Sequence, residues 1–129
     1  MIVGLIFGSR SVEHEISITT ASKAFEALRQ LPDWETLPLY VTKAGAWLSG
    51  PAVVRLLEVE AEGRAAADAA RRKALQEDYK RRLQGLAAGT ESGAEALLFA
   101  PDPTRRGLVG DPDQRSWFRR SAVRGLDVA

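Results

Sequence analysis

Two carboxylates that follow the first apolar segment are the side chains best placed to do chemistry. Glu13 and Glu15 come just after the apolar residues 2–7 and a turn at 8–11. A carboxylate in such a place can hold the ammonium group of a ligand through a charge-assisted hydrogen bond. Acidic residues are also common in the first turn of a helix, because they complement the helix dipole. The residue types alone therefore leave a binding role and a purely structural role open.

Phosphate binding is a second chemistry that this turn could support, since backbone N–H groups at the start of a helix attract anions. Loops of that kind are rich in glycine, whereas residues 8–17 contain only Gly8. The G-x-G-x-x-G pattern and the Walker pattern are both absent from this stretch. The sequence thus disfavours a nucleotide phosphate site here.

The elements that must position these groups follow from the apolar pattern of the sequence. Residues 2–7 are apolar and rich in branched side chains, which is typical of a buried strand in a parallel sheet. Apolar residues then recur every three or four positions between Ile18 and Leu31, which predicts a helix packed on a sheet. Because ligands of open α/β sheets bind beyond the carboxyl ends of strands, Glu13 and Glu15 lie where a site is expected.

Later segments continue this alternation of strands and helices. Extended segments are predicted at 36–41, 46–48 and 95–100, and a helix is predicted to open at Pro51. Residues 61–90 are rich in Ala, Arg, Glu and Lys and predict a long helical excursion on the surface. The order favours an α/β fold with a small, mainly parallel sheet flanked by helices on both sides.

Charge spacing and one proline add detail to two of these elements. Glu77 with Arg81, and Asp78 with Arg82, have the i,i+4 spacing of ion pairs that support a helix. Pro38 falls inside the second predicted strand. Because proline cannot donate to a ladder of hydrogen bonds, it favours an edge strand or the start of a strand.

The composition bounds the class of protein. The 129 residues suit one domain, and the sequence has no cysteine and only one histidine, His14. These counts exclude a disulfide framework, a thiolate metal site, a cysteine nucleophile and a histidine cluster. A formal net charge of +1 argues against a dedicated nucleic-acid binder. The apolar residues 1–7 are too few to span a bilayer and lack the basic leading segment of a signal peptide, so we expect a soluble, cytoplasmic protein.

The order of residues in the turn adds a family resemblance to this interpretation. Residues 8–17 resemble the N-terminal signature of the D-alanine–D-alanine ligases, reading Gly8-x-x-Ser11-x-Glu13-His14-Glu15-Ile16-Ser17. Residues 40–47 resemble the second strand of that family and the turn after it, with Lys43-x-Gly45-x-Trp47. Residues 101–108 are similar to a loop of some members, and 126–128 to the approach to their third strand. The match is loosest at 61–90, and Ser9 stands where the family has a second glycine.

The resemblance implies a pre-ATP-grasp, Rossmann-like fold in which residues 1–129 form the single N-terminal domain of a ligase. Members of the family join two D-alanines for peptidoglycan. ATP phosphorylates the carboxylate of the first D-alanine, and the amine of the second displaces phosphate. By the same resemblance, Glu13 is the catalytic residue that holds and positions the ammonium of the first D-alanine. Ile16 and Ser17 would also contact the substrate, and the lone His14 would be a supporting residue.

Cofactors and partners also follow from the resemblance alone. ATP and Mg²⁺ would serve the parent enzyme, and this chain would hold neither, because the family's ATP-gripping lysines and metal ligands lie further along. The partners would be D-alanine and the remainder of the ligase, its middle and ATP-grasp domains, with a homodimer also compatible. The sequence stops inside an apparent strand at Ala129, so we expect a front domain that is inactive alone.

Two rival functions are compatible with the sequence. A stand-alone module could dimerise, or bind an amino acid through Glu13, without catalysis. Single-stranded nucleic acid could bind the arginine-rich segment 105–124, where Trp117 and Phe118 could stack on bases. Asp111 and Asp113 dilute the basic charge of that segment, so we expect neither nucleic acid nor a membrane as a partner.

Overall fold

A computed structural model describes residues 1–99 and 108–110 as one sheet with three helices. The elements follow the predicted order of strand, helix, strands, helices and strand, to which the structure adds a short last strand that was not predicted from the sequence. In chain order they are β1 (Ile2–Gly8), α1 (His14–Leu28), β2 (Glu35–Val41), β3 (Trp47–Ser49), α2 (Pro51–Ala65), α3 (Ala69–Ala88), β4 (Glu95–Phe99) and β5 (Leu108–Gly110).

The sheet has the strand order β1-β2-β3-β4-β5 and is mixed. β1 and β2 pair in parallel, with Phe7 opposite Tyr40, and α1 forms the crossover between them. The three pairings from β2 to β5 are antiparallel. The α/β class is thus confirmed, whereas the expectation of a mainly parallel sheet is wrong.

Connection lengths explain the antiparallel pairings. The turn between Val41 and Trp47 is far shorter than the dozen or so residues that a parallel crossover needs, so β3 must run back along β2. Two helices connect β3 to β4. Since α3 returns along α2, the chain re-enters the sheet at the end where it left, and β4 runs antiparallel to β3.

The described helices gather on one face of the sheet. Phe7 and Tyr40 share a buried apolar cluster with side chains from all three helices, including Ile18, Val53 and Leu86. Along β2 successive side chains face opposite ways. Leu37 and Leu39, which lie on the other face, form a second cluster with Leu97. The helices of the described residues thus lie on one face of the sheet, and helices on the other face stay a prediction.

Pro38 occupies an interior strand rather than an edge. It lies opposite Leu5 in the parallel pair, and β2 is flanked by β1 and β3. The short strand β3 pairs with β2 only at Tyr40 and Val41, so the missing N–H of Pro38 interrupts no pairing on that side. The preference of proline for an edge is overridden here because the neighbouring strand is only three residues long.

The predicted helical excursion at 61–90 comprises the end of α2 and all of α3. The chain leaves the helical conformation at Ala66, and α3 begins after Asp68, whose carboxylate accepts a hydrogen bond from the Arg71 N–H at 3.0 Å. Of the two predicted ion pairs, Asp78 with Arg82 is present at 3.2 Å. The predicted partner of Glu77, Arg81, pairs with Asp78 instead.

Some predictions lie outside the described residues. These are most of the loop at 101–108, the aromatic pair Trp117 and Phe118, most of the arginine-rich segment and the third strand approached at 126–128. In the described part of the chain, no helix combines the length and the apolar character that crossing a membrane requires.

Candidate functional site

The turn after β1 is built on two successive residues in the left-handed region. Gly8 has φ +94°, and a Cβ on it would lie 2.2 Å from the carbonyl oxygen of Val41. Only glycine fits such a close approach of two backbones. Ser9 has φ +88°, although it carries a side chain. Its N–H donates to the Val41 carbonyl oxygen at 2.7 Å, so the turn is attached to the end of β2.

Glu13 is the last residue before α1 and presents its carboxylate to solvent beside the sheet. Its backbone is fully used, since its N–H donates to Ser11 Oγ at 3.1 Å and its carbonyl accepts from the Ser17 N–H at 2.9 Å. Within residues 1–99 and 108–110, no hydrogen bond or ion pair engages the carboxylate itself. A fixed backbone thus carries a side-chain anion that is free to bind a ligand.

A cleft of about 390 Å³ lies between the end of β1 and the first turns of α1. Glu13, Ile16 and Ser17, the three predicted site residues, all line it. Ile16 is 65 % exposed, so its side chain gives the cleft an accessible apolar surface. The cleft therefore combines an anion with an apolar wall, as a small amino acid with a short side chain would require.

Ser17 connects the strand end to the helix. Its Oγ accepts a hydrogen bond from the Gly8 N–H at 3.0 Å, across nine residues of sequence. The hydroxyl thereby fixes the floor of the cleft, and a direct contact between Ser17 and substrate stays a prediction.

Glu15 belongs to a different part of the surface. It lines a second cleft, of about 360 Å³, which lies between the three helices and also contains Glu60 and Tyr79. The two neighbouring carboxylates that the sequence singled out are therefore separated by the helix, and only Glu13 lines the cleft at the strand end.

His14 is a buried supporting residue. Only 2 % of it is exposed, its Nδ1 lies 2.6 Å from the Ser9 carbonyl oxygen, and its Nε2 lies 2.7 Å from the Tyr40 hydroxyl. Burial raises the pKa of Tyr40 to about 12. Tyr40 was not among the residues predicted from the sequence, because its contact with His14 spans 26 residues and leaves no trace in local spacing.

The second motif of the sequence lies against the first. Gly45 has φ +92° in the turn between β2 and β3. The Thr42 N–H donates to the Ala46 carbonyl oxygen, and the Thr42 carbonyl oxygen accepts from the Gly45 N–H, which closes the turn. The guanidinium of Arg10 donates to the Ala44 carbonyl oxygen at 3.2 Å. The two segments that carried the resemblance are thus brought together at one end of the parallel pair.

The turn does not fit a nucleotide phosphate. The N–H groups of Gly8, Ser9 and Glu13 are already donated to Ser17, Val41 and Ser11. Phosphate loops instead present such groups to the ligand. Among the described residues, no group of three or more acidic, histidine or cysteine side chains could hold a metal ion.

A comparison with protein families decides the kinship of the chain. The family model described as the D-ala D-ala ligase N-terminus matches residues 2–100. The chain belongs to this family. The match contains both motifs, the cleft and all three described helices.

Curated D-alanine–D-alanine ligases match the chain over a limited part of their own length. The D-alanine–D-alanine ligase of Listeria monocytogenes (serotype 4b, strain F2365) is 32 % identical over 113 residues, which cover 81 % of this chain and 30 % of that protein. The ligase of Thermosipho africanus is 50 % identical over 48 residues, which cover 37 % of this chain and 13 % of that protein. The chain therefore spans less than a third of the length of these relatives.

Solved structures share the fold at low sequence identity. The D-alanine–D-alanine ligase of Coxiella burnetii has a TM-score of 0.53 and 16 % identity, and covers 90 % of this chain and 26 % of that one. The VanG D-Ala:D-Ser ligase of Enterococcus faecalis has a TM-score of 0.52 and 16 % identity. The match covers 84 % of this chain and 24 % of the VanG chain. These similarities confirm the α/β class of the chain.

Proposed function

We propose that the chain is the substrate-positioning N-terminal domain of an ATP-dependent D-alanine–D-alanine ligase, a single domain over residues 1–129. The observation that carries the proposal is the Glu13 carboxylate, which lines the cleft at the end of β1 and has no partner among the described residues. Membership of the ligase N-terminus family supports the same assignment.

Glu13 would bind the ammonium group of the first D-alanine. A charge-assisted hydrogen bond between a carboxylate and an ammonium is roughly twice as strong as a neutral one. Ile16 offers an apolar surface for the methyl group of the substrate, and the contact between Ser17 and Gly8 keeps the cleft in shape. The contribution to catalysis is positioning, because a substrate held in the reactive geometry has already lost its freedom to rotate and diffuse.

In this proposal ATP and Mg²⁺ bind to the remainder of the ligase and not to the described residues. The amides of the turn are committed to internal hydrogen bonds, which supports that division. The parent enzyme would supply peptidoglycan precursors in the cytoplasm. The chain alone would hold substrate and catalyse no ligation.

A chimeric enzyme tests the proposal. Residues 1–100 of this chain would replace the matching segment of the Listeria monocytogenes ligase, and phosphate release would be measured with ATP and D-alanine. We expect D-alanine-dependent release, and a KM for D-alanine that rises about tenfold or more when Glu13 is changed to Gln, since hydrogen bonds to charged groups contribute about 1.5–3 kcal/mol. The Glu15→Gln chimera is the matched control and should retain the parent KM.

Two results would count against the proposal. One is a chimera that melts cooperatively and binds ATP but releases no phosphate. The other is an active chimera in which the Glu13→Gln substitution leaves the KM for D-alanine unchanged. D-alanine binding by the isolated chain together with an inactive chimera would favour the stand-alone binding module.

A further inference from the structure

His14 and Tyr40 form a buried, hydrogen-bonded pair directly beneath the turn that carries Glu13. They are 2 % and 1 % exposed, and their ring centroids lie 5.4 Å apart in an edge-on arrangement. The Tyr40 hydroxyl meets Nε2 of His14 at 2.7 Å, and Nδ1 of His14 meets the Ser9 carbonyl oxygen at 2.6 Å. The pair thus connects the end of β2 to the backbone of the turn.

The direction of these hydrogen bonds follows from the chemistry of the acceptor. A carbonyl oxygen can only accept, so the proton of the neutral imidazole must lie on Nδ1. Nε2 is then an acceptor, and the Tyr40 hydroxyl donates to it. A tyrosine hydroxyl is protonated at neutral pH, and burial raises the pKa of Tyr40 further, to about 12. Each polar atom from the Tyr40 hydroxyl to the Ser9 carbonyl therefore has a partner of the right kind, and the imidazole has one at each nitrogen.

Ser9 is the residue that this arrangement holds. Its φ of +88° is disfavoured for a residue with a side chain, so the conformation needs contacts to hold it. Its N–H donates to Val41 on one side, and its carbonyl accepts from His14 on the other. Both contacts lead back to β2, through Val41 and through Tyr40. The turn between Ser9 and Glu13 is consequently fixed by the strand that neighbours β1.

We propose that His14 and Tyr40 are positioning residues, which aim the Glu13 carboxylate into the cleft by holding the Ser9 carbonyl. The inference rests on the proposed function of Glu13 and extends it to two side chains that never touch the ligand. Space filling alone does not account for the pair, because phenylalanine at position 40 would fill the same volume without a hydroxyl. The hydroxyl of Tyr40 is hydrogen-bonded to His14, and His14 in turn is hydrogen-bonded to the Ser9 carbonyl oxygen in the turn.

Binding of D-alanine to the full 129-residue chain tests the inference with three variants. Tyr40→Phe removes the hydroxyl, and His14→Gln keeps a partner for Tyr40 while it loses the donor to Ser9. We expect both to weaken D-alanine binding by about three- to tenfold, which corresponds to the loss of one neutral hydrogen bond. His14→Asn places its amide where Nδ1 lies, so it keeps the donor to Ser9 and loses only the contact with Tyr40. Its loss of affinity should therefore match that of Tyr40→Phe.

Tyr79→Phe is the matched control. It removes the hydroxyl of a half-buried tyrosine that lines the second cleft, away from the turn. Its affinity for D-alanine should equal that of the unmodified chain. Cooperative thermal unfolding of every variant would establish that affinity is compared between folded proteins.

The imidazole of His14 gives a second, spectroscopic readout. It is the only histidine of the chain, so its ring ¹⁵N resonances need no assignment against others. For the neutral ring we expect the tautomer with the proton on Nδ1 and none on Nε2. Tyr40→Phe should shift Nε2 and also the backbone amides of residues 9–13, whereas Tyr79→Phe should shift neither.

The outcomes separate this inference from the proposal it rests on. If the unmodified chain binds D-alanine and Glu13→Gln abolishes binding, but Tyr40→Phe and His14→Gln bind normally, the positioning role is overturned and the proposed function stands. A ring protonated on Nε2 also overturns it. If the unmodified chain does not bind D-alanine, the role of Glu13 fails and the positioning role fails with it.

Discussion

At the scale of single residues, the turn after β1 uses two neighbouring positions in the same unusual conformation for different reasons. Gly8 has no room for a side chain, because the Val41 carbonyl oxygen occupies the place of its Cβ. Ser9 has room, since its side chain is exposed, but it carries the strain of a positive φ. Packing fixes the conformation of Gly8, whereas only hydrogen bonds fix that of Ser9. Adding a side chain at position 8 should therefore destabilise the fold, and removing the side chain at position 9 should stabilise it.

Gly8→Ala should destabilise the fold by at least about 3 kcal/mol, because the new methyl group would lie 2.2 Å from a backbone oxygen in addition to the left-handed strain. Gly89→Ala is the matched control. Gly89 also has a positive φ, +72°, but no atom lies within 4 Å of the place that a Cβ would take, so only about 1 kcal/mol is expected. Urea unfolding measures both, and equal losses for the two variants would contradict the steric account.

Ser9→Gly should stabilise the fold by about 0.5–1 kcal/mol. The substitution removes left-handed strain of about 1–2 kcal/mol, and the greater freedom of glycine in the unfolded chain offsets part of this gain. The midpoint of urea unfolding should therefore rise. An unchanged or lower midpoint would mean that Ser9 is not strained in the folded protein.

At the scale of elements, α3 is attached to the fold by few apolar contacts and several charges. Leu86 is its one fully buried side chain among the described residues, while Tyr79 and Leu83 pack on the same cluster. Asp78 accepts hydrogen bonds from Arg81 and Arg82, and Arg82 also lies 3.6 Å from Glu91 beyond the helix. The charges tie the end of α3 to the chain that leads into β4.

Acid should weaken this charge cluster. Burial opposes the ionisation of Asp78, but the hydrogen bonds and charges of Arg82 and Arg81 outweigh it and lower the pKa of the carboxyl. A lowered pKa stabilises the fold above the pKa of the unfolded chain, about 3.9, and this stabilisation is lost as the pH falls below it.

Asp78→Asn should accordingly lower the free energy of unfolding by less than about 1 kcal/mol at neutral pH, because the ion pairs of Asp78 are partly exposed. This loss of stability should shrink below about pH 4. Glu77→Gln is the control, since Glu77 makes no ion pair within the described part of the chain. Urea unfolding across the pH range checks both. A deficit of Asp78→Asn that stays constant as the pH falls to about 2 would contradict the charge assignment.

At the scale of the whole molecule, the parallel pair β1–β2 carries the site and the antiparallel strands enlarge the sheet beside it. The apolar pattern of the sequence was sufficient to predict the α/β class and the first strand and helix, because these depend on local spacing. The family resemblance, not the spacing, indicated that Ile16 and Ser17 belong with Glu13 at the strand end. The direction of β3 to β5 was not predictable from apolar pattern, since antiparallel and parallel strands show similar apolar segments when both faces are buried.

Two kinds of contact that apolar pattern and spacing do not reveal account for the remaining differences. The hydrogen bond between His14 and Tyr40 joins two elements, and the choice of Asp78 over Glu77 by Arg81 depends on side-chain geometry within a helix turn. The membership of the ligase N-terminus family agrees with the resemblance that the motif at 8–17 indicated.

The central claim, that the Glu13 carboxylate binds the ammonium of D-alanine, is tested most directly by a double comparison of binding affinities. D-Lactate has a hydroxyl in place of the ammonium group, and Glu13→Gln has an amide in place of the carboxylate. Calorimetry would measure both ligands against both proteins. We predict that either change alone lowers affinity about tenfold or more, and that the two together lower it little further, because they remove the same contact. Losses that simply add, or a Glu13→Gln variant that binds D-alanine normally, would contradict the account.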